Sequence, residues 1–131
     1  MLFNLPPCKG GEKRPLLLRV ILSNEHTKVD FGYQTMRYYF EGGWVRMSKD
    51  TFIRVKPSGE KLTMLKAENI PIAPEMHLFK TRKDWLYFSL YFPPLPEGTK
   101  LIDLIEAEPD ADDDFNFFDI ELDPQKALEL A

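Results

Sequence analysis

Hydrophobic and polar residues alternate with a period of two along most of this chain, and the spacing of an amphipathic helix is almost absent. Such alternation is typical of half-buried β-strands, whose successive side chains point to opposite faces of a sheet. Turn-forming segments separate the alternating stretches, among them Ser23–His26, Gly42–Gly43 and Pro57–Gly59. The pattern predicts strands at residues 15–22, 27–33, 44–47, 51–55, 60–65, 84–92, 99–105 and 115–122. Residues 68–83 contain two prolines and are expected to form a long loop or a crossover between sheets.

The alternation also predicts which side chains face the core. In the strongest strand, 84–92, the inner face is expected to hold Leu86, Phe88, Leu90 and Phe92. The outer face of that strand then carries Trp85, Tyr87, Ser89 and Tyr91. In the first strand, Leu16, Leu18, Val20 and Leu22 share one predicted face, and in the last strand Phe118, Ile120 and Leu122 do so.

About seven short strands in one chain are best buried as two antiparallel sheets that face each other. The predicted fold class is therefore all-β, an immunoglobulin-like antiparallel β-sandwich with a short C-terminal helix or tail beginning near Pro124. A small barrel is the main alternative. The predicted organisation is a flexible N-terminal segment at residues 1–13, the sandwich at 14–122 and a tail at 123–131.

Composition and charge exclude several classes of function. The 131 residues carry a net charge of -4, whereas a nucleic-acid-binding protein normally presents a basic patch, so nucleic acid is not an expected partner. The single cysteine excludes an internal disulfide, and no apolar run approaches the roughly 18 residues that cross a bilayer. As written, the chain has no secretory signal and is expected in the cytoplasm; a trimmed signal would place it in the cell envelope or periplasm.

Several phrases resemble one known family. They are Gly43–Ile53, Leu65–Ile72, Tyr87–Glu106 and Phe115–Leu122. In order and spacing they are similar to an uncharacterised β-sandwich module of Bacteroides-type bacterial proteins, which often precedes a thioredoxin-like domain in the cell envelope. The resemblance spans roughly residues 14–122 and implies a non-catalytic accessory domain. The chain has no Cys-x-x-Cys motif, so redox activity is not carried over.

The predicted outer face of strand 84–92 is the main candidate binding site. Trp85, Tyr87 and Tyr91 would stand where an antiparallel sheet normally shows polar residues to water. Exposed aromatic residues there suggest a patch for a protein partner or a stacking platform for sugar rings. Alternatively, the loop from Asn69 to Phe79 covers them as a secondary core. Trp44 and Arg46 match the family's aromatic-basic phrase, and they are equally consistent with structural packing beside a surface charge.

An acidic run, residues 106–114, is the candidate metal site. Asp110, Asp112 and Asp114 alternate, and Glu121 follows Asp110 by eleven residues, which is the carboxylate spacing of a calcium loop. Phe115 stands where that loop requires glycine, however, so a solvated acidic loop between two strands is the competing interpretation.

No catalytic motif is present. The chain has no nucleophile elbow, phosphate-binding loop or dinucleotide fingerprint, and its two histidines, His26 and His77, are expected in separate loops. We therefore expect no enzyme activity and no cofactor. The sequence favours a binding module for a protein partner, with a carbohydrate-binding module, with or without calcium at the acidic run, as the alternative.

Overall fold

The structure is a computed structural model, and it describes residues 1–10, 16–34, 44–45, 47–70, 77–78, 85–106 and 116–128. Over these residues the chain is all-β, and its helical content is one 3₁₀ turn, Pro124–Lys126. The Asp123 side chain caps this turn by accepting a hydrogen bond from the Gln125 backbone N–H. The predicted all-β class is confirmed. No helix in the described part of the chain is long and apolar enough to cross a membrane.

Twelve strands lie in the described residues. In chain order they are β1 (Leu2–Asn4), β2 (Lys9–Gly10), β3 (Leu16–Leu22), β4 (Thr27–Gln34), β5 (Trp44–Val45), β6 (Phe52–Lys56), β7 (Lys61–Thr63), β8 (Lys66–Glu68), β9 (His77–Leu78), β10 (Trp85–Phe92), β11 (Leu101–Ile105) and β12 (Phe117–Glu121).

Most of these strands form two antiparallel sheets of five. The first sheet has the order β1-β3-β4-β10-β8, the second sheet has the order β2-β12-β11-β6-β7, and β5 pairs with β9 alone. One segment supplies β1 to the first sheet and β2 to the second, and another supplies β7 to the second and β8 to the first. All four edge strands are only two or three residues long. Edge strands this short, carried on segments that pass from one sheet to the other, are poor templates for pairing with another chain.

The two sheets pack face to face through their inner side chains. Phe31 of the first sheet stacks on Phe88 with ring centroids 5.1 Å apart, and it meets Phe117 of the second sheet at 5.5 Å. The predicted inner face of β10 is confirmed, since its four members are at most 8% exposed. The largest fully buried side chains come from both sheets and from two residues outside the strands, Met47 and Leu122; the sheet residues are Phe31, Phe92, Phe117, Ile53, Leu90, Ile102, Leu104, Ile105, Ile120 and Val20. This arrangement is a β-sandwich.

A β-bulge corrects the predicted inner face of β3. The pairing with β4 shifts between Leu17 and Arg19, so Leu18 is the extra residue on its strand. Leu17 and Val20 consequently both face the core, whereas Leu16 is 46% exposed. Strict alternation had placed Leu16 and Leu18 inside, and the bulge moves them to the outer face.

A second bulge corrects the predicted inner face of β12. Phe118 and Asp119 together oppose the single residue Asp103 of β11, and Asp119 adopts a positive φ of 52°. Phe117, not Phe118, therefore faces the core beside Ile120.

The N-terminal segment is not a free extension where it is described. β1 pairs with β3, Leu2 also bridges to Leu128, and Phe3 is buried in the core. Cys8 is half-buried against the core, and this burial raises the pKa of its thiol. The segment at residues 1–13 is predicted to be flexible, and the structure places β1 and β2 within it; the alternation before the two prolines is too short to predict β1.

The predicted hairpin around Pro57 is confirmed, and the predicted loop after it needs correction. β6 pairs with β7, and Gly59 has the positive φ of 82° that its turn requires. The stretch predicted as a long loop at 68–83 contains the end of β8 and all of β9, while residues 71–76 and 79–84 lie outside the described part.

Candidate functional site

The outer face of the first sheet is organised as cross-strand rows. Strand register places Arg19, Asp30, Ser89 and Glu68 in one row, which we call the charged row. The neighbouring row toward the start of β10 contains Leu16, Gly32 and Tyr87. A row on the other side contains Ile21, Lys28, Tyr91 and Lys66. One half of this face is therefore polar and the other half apolar.

The apolar half centres on Gly32. A β-carbon at Gly32 would lie 3.3 Å from Cε1 of Tyr87 and 3.6 Å from Cδ1 of Leu18, so both side chains lie over this glycine. An aromatic ring that covers a cross-strand glycine protects backbone that would otherwise be bare. Tyr87 nevertheless remains 60% exposed, and Leu16 on the other side of Gly32 is 46% exposed.

Leu5 extends this apolar surface. It follows β1 directly, donates its backbone N–H to the Leu18 carbonyl at 2.8 Å, and is 63% exposed. Its φ is 46°, a left-handed conformation that leucine rarely adopts. Neither burial nor backbone preference favours leucine at this position. We call Leu5, Leu16, Leu18 and Tyr87 the apolar patch.

The charged row is built around a buried carboxylate. The Asp30 side chain is 7% exposed, and it accepts a hydrogen bond from Arg19 Nε at 2.5 Å and another from Ser89 Oγ at 2.6 Å. Lys28 Nζ lies 3.7 Å from the same carboxylate. Asp30 is thus held by groups from three adjacent strands, and in return it fixes Arg19 beside the apolar patch.

Tyr91 differs from its prediction as a stacking surface. The residue is 8% exposed, because Lys66 Nζ lies 4.5 Å from its ring centroid and the His26 ring packs edge-on at 5.0 Å. Its hydroxyl donates to the Glu68 carboxylate. This hydrogen bond, burial and the nearby negative charge together raise the pKa of Tyr91 to about 12. Among the described residues, the groups that cover Tyr91 come from β8 and from the turn before β4, while most of the predicted loop at 69–79 lies outside the described part of the chain.

The other predicted binding residues are placed as follows. Tyr87 is exposed on the outer face, as predicted, and Asn69 Nδ2 donates to its backbone carbonyl at 2.5 Å. Trp85 opposes Gln34 at the start of β10, and Trp44 lies in β5, opposite Leu78 of β9. Arg46 lies outside the described residues. β5 and β9 form a two-stranded sheet of their own, separate from the sheet that contains β10.

The predicted calcium ligands Asp110, Asp112 and Asp114 also lie outside the described residues. In the part of the chain that is described, no group of three or more histidine, cysteine, aspartate or glutamate side chains is arranged to hold a metal ion.

A second ionic cluster lies on the outer face of the second sheet. Lys56 Nζ contacts Asp119 at 2.5 Å and Asp103 at 3.1 Å, and Lys9 Nζ reaches Asp119 at 3.2 Å. Asp103 Oδ1 also accepts the backbone N–H of Asp119 at 2.9 Å. Because the two carboxylates hydrogen-bond Lys56, its pKa is raised, and the Lys56 and Lys9 contacts lower the pKa of Asp119. These contacts stabilise the β12 bulge.

An open cleft of about 430 Å³ adjoins this cluster. Its walls carry both signs of charge, from Lys9 and Lys100 on one hand and Asp119, Glu121 and Asp123 on the other.

Compared with known proteins, the chain matches no protein-family model, no curated protein and no solved structure. The resemblance to the Bacteroides-type module therefore remains a prediction from the sequence.

The sequence argument did not identify Arg19, Asp30, Leu5 or Leu16 as surface residues of interest. For Arg19 and Asp30 a signal existed: the four-residue turn Ser23–His26 fixes the β3–β4 register and places these opposite charges side by side. For Leu16 no such signal existed, because the bulge at Leu18 determines its face.

Proposed function

We propose that this chain is a non-catalytic β-sandwich binding module that recruits a protein partner through the outer face of its first sheet. The apolar patch is the observation that supports this proposal. Leu5, Leu16 and Tyr87 are exposed and Leu18 is half-buried, beside a sheet face where polar residues are the norm. Contiguous exposed apolar side chains bordered by charges are characteristic of surfaces that become buried in a complex.

A binding role agrees better than catalysis with the use of the charged groups. Asp30 and Asp103 are buried, and each is occupied by hydrogen bonds and a cation from a neighbouring strand. A general acid or base needs a carboxyl group whose pKa is moved toward neutrality, whereas the pKa of Asp119 is lowered by its lysine partners. These carboxylates stabilise the sheets rather than take part in a reaction.

The carbohydrate alternative receives less support. Trp85, Tyr87 and Tyr91 were expected to form one stacking platform, but Tyr91 is covered by Lys66 and His26. Our proposal includes two properties that the resemblance implies: an immunoglobulin-like topology and a role as an accessory domain in a bacterial protein.

Site-specific photo-crosslinking tests this proposal. A benzophenone amino acid is placed at Leu16 or Tyr87, with Lys61 on the exposed edge of the second sheet as the matched control. In cells that make the protein, irradiation is expected to yield a discrete cross-linked protein species from positions 16 and 87 and none from position 61. Equal cross-linking from all three positions, or none from 16 and 87, contradicts the proposal.

A further inference from the structure

Arg19 presents an exposed guanidinium group that is anchored at one edge. Its Nε is anchored to buried Asp30 at 2.5 Å, and its side chain is still 50% exposed. Among the described residues, no acceptor contacts its two terminal nitrogens. A guanidinium group held at one edge keeps its plane fixed, and its remaining N–H groups match the two oxygens of a carboxylate.

The exposed charge on this face is positive, although the chain as a whole carries a net charge of -4. Arg19 and Lys66 are exposed and Lys28 is half-buried, while Asp30 is buried beneath them. Glu68 is also exposed and keeps its negative charge while it accepts the Tyr91 hydroxyl, so the cations Arg19, Lys28 and Lys66 outnumber it among the described side chains of this face that are not buried. Charge complementarity between partner surfaces therefore favours an acidic partner here.

The apolar patch begins at the residue next to Arg19. Leu18 precedes Arg19 in the chain, and Leu5 and Tyr87 lie beside Leu18. Exposed ion pairs contribute little on their own, so affinity would have to come from apolar surface that is buried beside the charge.

We propose that the outer face of the first sheet binds a peptide segment in which an acidic side chain neighbours an apolar one. Arg19 receives the carboxylate, and the apolar patch receives the neighbouring side chain. This inference rests on the proposed function, since it names the chemistry of the partner at the same surface.

The test uses a displayed library of random 12-residue peptides selected on the full chain. Selected peptides are synthesised with a fluorescent label, each beside a twin in which Asp and Glu are replaced by Asn and Gln. Binding is measured by anisotropy for the wild type, Arg19→Gln, Leu16→Ser and the control Lys100→Gln. We expect Arg19→Gln and the neutral twin each to weaken binding by about tenfold, because each removes one charge-assisted pair. The neutral twin should bind the wild type and Arg19→Gln equally, and Lys100→Gln should change nothing.

A second variant separates the effect of lost charge from the effect of misfolding. Arg19→Gln removes a partner of Asp30, so its fold is checked by circular dichroism, and Lys66→Gln lowers the charge of the face without touching Asp30. We expect Lys66→Gln to weaken the binding of acidic peptides by about threefold and to leave the binding of the neutral twins unchanged.

The outcomes separate this inference from the proposed function. Peptides that depend on Leu16 but are indifferent to Arg19→Gln and to loss of their carboxylates overturn the inference and leave the proposed function standing. Selection of no peptide, or of peptides that are insensitive to Leu16→Ser and Arg19→Gln alike, contradicts both.

Discussion

Phe31 is the residue whose truncation best tests the packing of the two sheets. It is 1% exposed and contacts one ring in its own sheet, Phe88, and one in the opposite sheet, Phe117. Phe31→Ala removes a buried ring and leaves a cavity, which typically costs about 3–5 kcal/mol. The loss of the two aromatic contacts is included in that range or adds up to about 1 kcal/mol to the destabilisation.

The effect should be large relative to the stability of the chain. Domains of this size unfold with about 5–15 kcal/mol, so a loss of about 4 kcal/mol removes a large part of the total. At roughly 4 °C per kcal/mol, Tm should fall by about 15 °C. Urea titration followed by circular dichroism gives the free energy of unfolding, and a thermal scan gives Tm.

Tyr87→Ala is the matched control for Phe31→Ala. Tyr87 is 60% exposed, so its removal should cost about 1 kcal/mol or less, mostly through the cover that it provides to Gly32. If Phe31→Ala destabilised the protein no more than Tyr87→Ala, the two sheets would not be packed around Phe31.

Three further predictions concern local features. Tyr91→Phe should reduce the loss of stability at alkaline pH. Because the pKa of Tyr91 is raised to about 12, its hydrogen bond to Glu68 stabilises the fold fully below the ordinary tyrosine pKa near 10. That contribution is lost as pH rises through about 12. Urea titrations between pH 8 and pH 11 check this, and identical slopes for wild type and variant would refute it. Asp103→Ala should lower the free energy of unfolding by about 3 kcal/mol, because it removes the buried carboxylate that accepts the partly buried Asp119 N–H of the β12 bulge. Asp103→Asn should cost less than half as much, since its amide oxygen can still accept this hydrogen bond. Equal effects of the two variants in urea titrations would argue against the bulge contact. Gly59→Ala should cost about 1 kcal/mol in the same titration through its positive φ alone, since nothing lies within 4 Å of the new methyl group, and a neutral result would contradict that backbone conformation.

The parts of the fold that follow from local patterns could be predicted from sequence. The faces of β4 and β10 repeat without interruption, and the Gly59 turn has the chemistry that its hairpin needs. These features depend on residues that are neighbours in the chain.

The two bulges could not be predicted, because partners distant in sequence stabilise them. The β12 bulge depends on Asp103 accepting the N–H of Asp119 across a strand pair, and no local pattern reveals that contact. The β3 bulge moves Leu16 and Leu18 to the outer face and the β12 bulge moves Phe118, so strict alternation placed these three residues on the wrong face.

The candidate site was predicted only in part for the same reason. Tyr87 is exposed, as the alternation of its strand suggests. Tyr91 is covered by Lys66, which lies on β8, a strand of the first sheet that the chain reaches after leaving the second sheet at β7. The order of strands in the sheet decides which aromatic residue is covered, and that order is a property of the whole chain.

Amide chemical-shift mapping tests most directly whether the outer face of the first sheet is the recognition surface. A selected peptide is titrated into the ¹⁵N-labelled chain, and shifts are followed by two-dimensional NMR. We predict that the largest changes fall on the amides of Leu16, Leu18, Gly32 and Tyr87, with little change at Lys61 and Lys100. Changes concentrated on the second sheet, or spread evenly over both, would contradict the assignment of this surface.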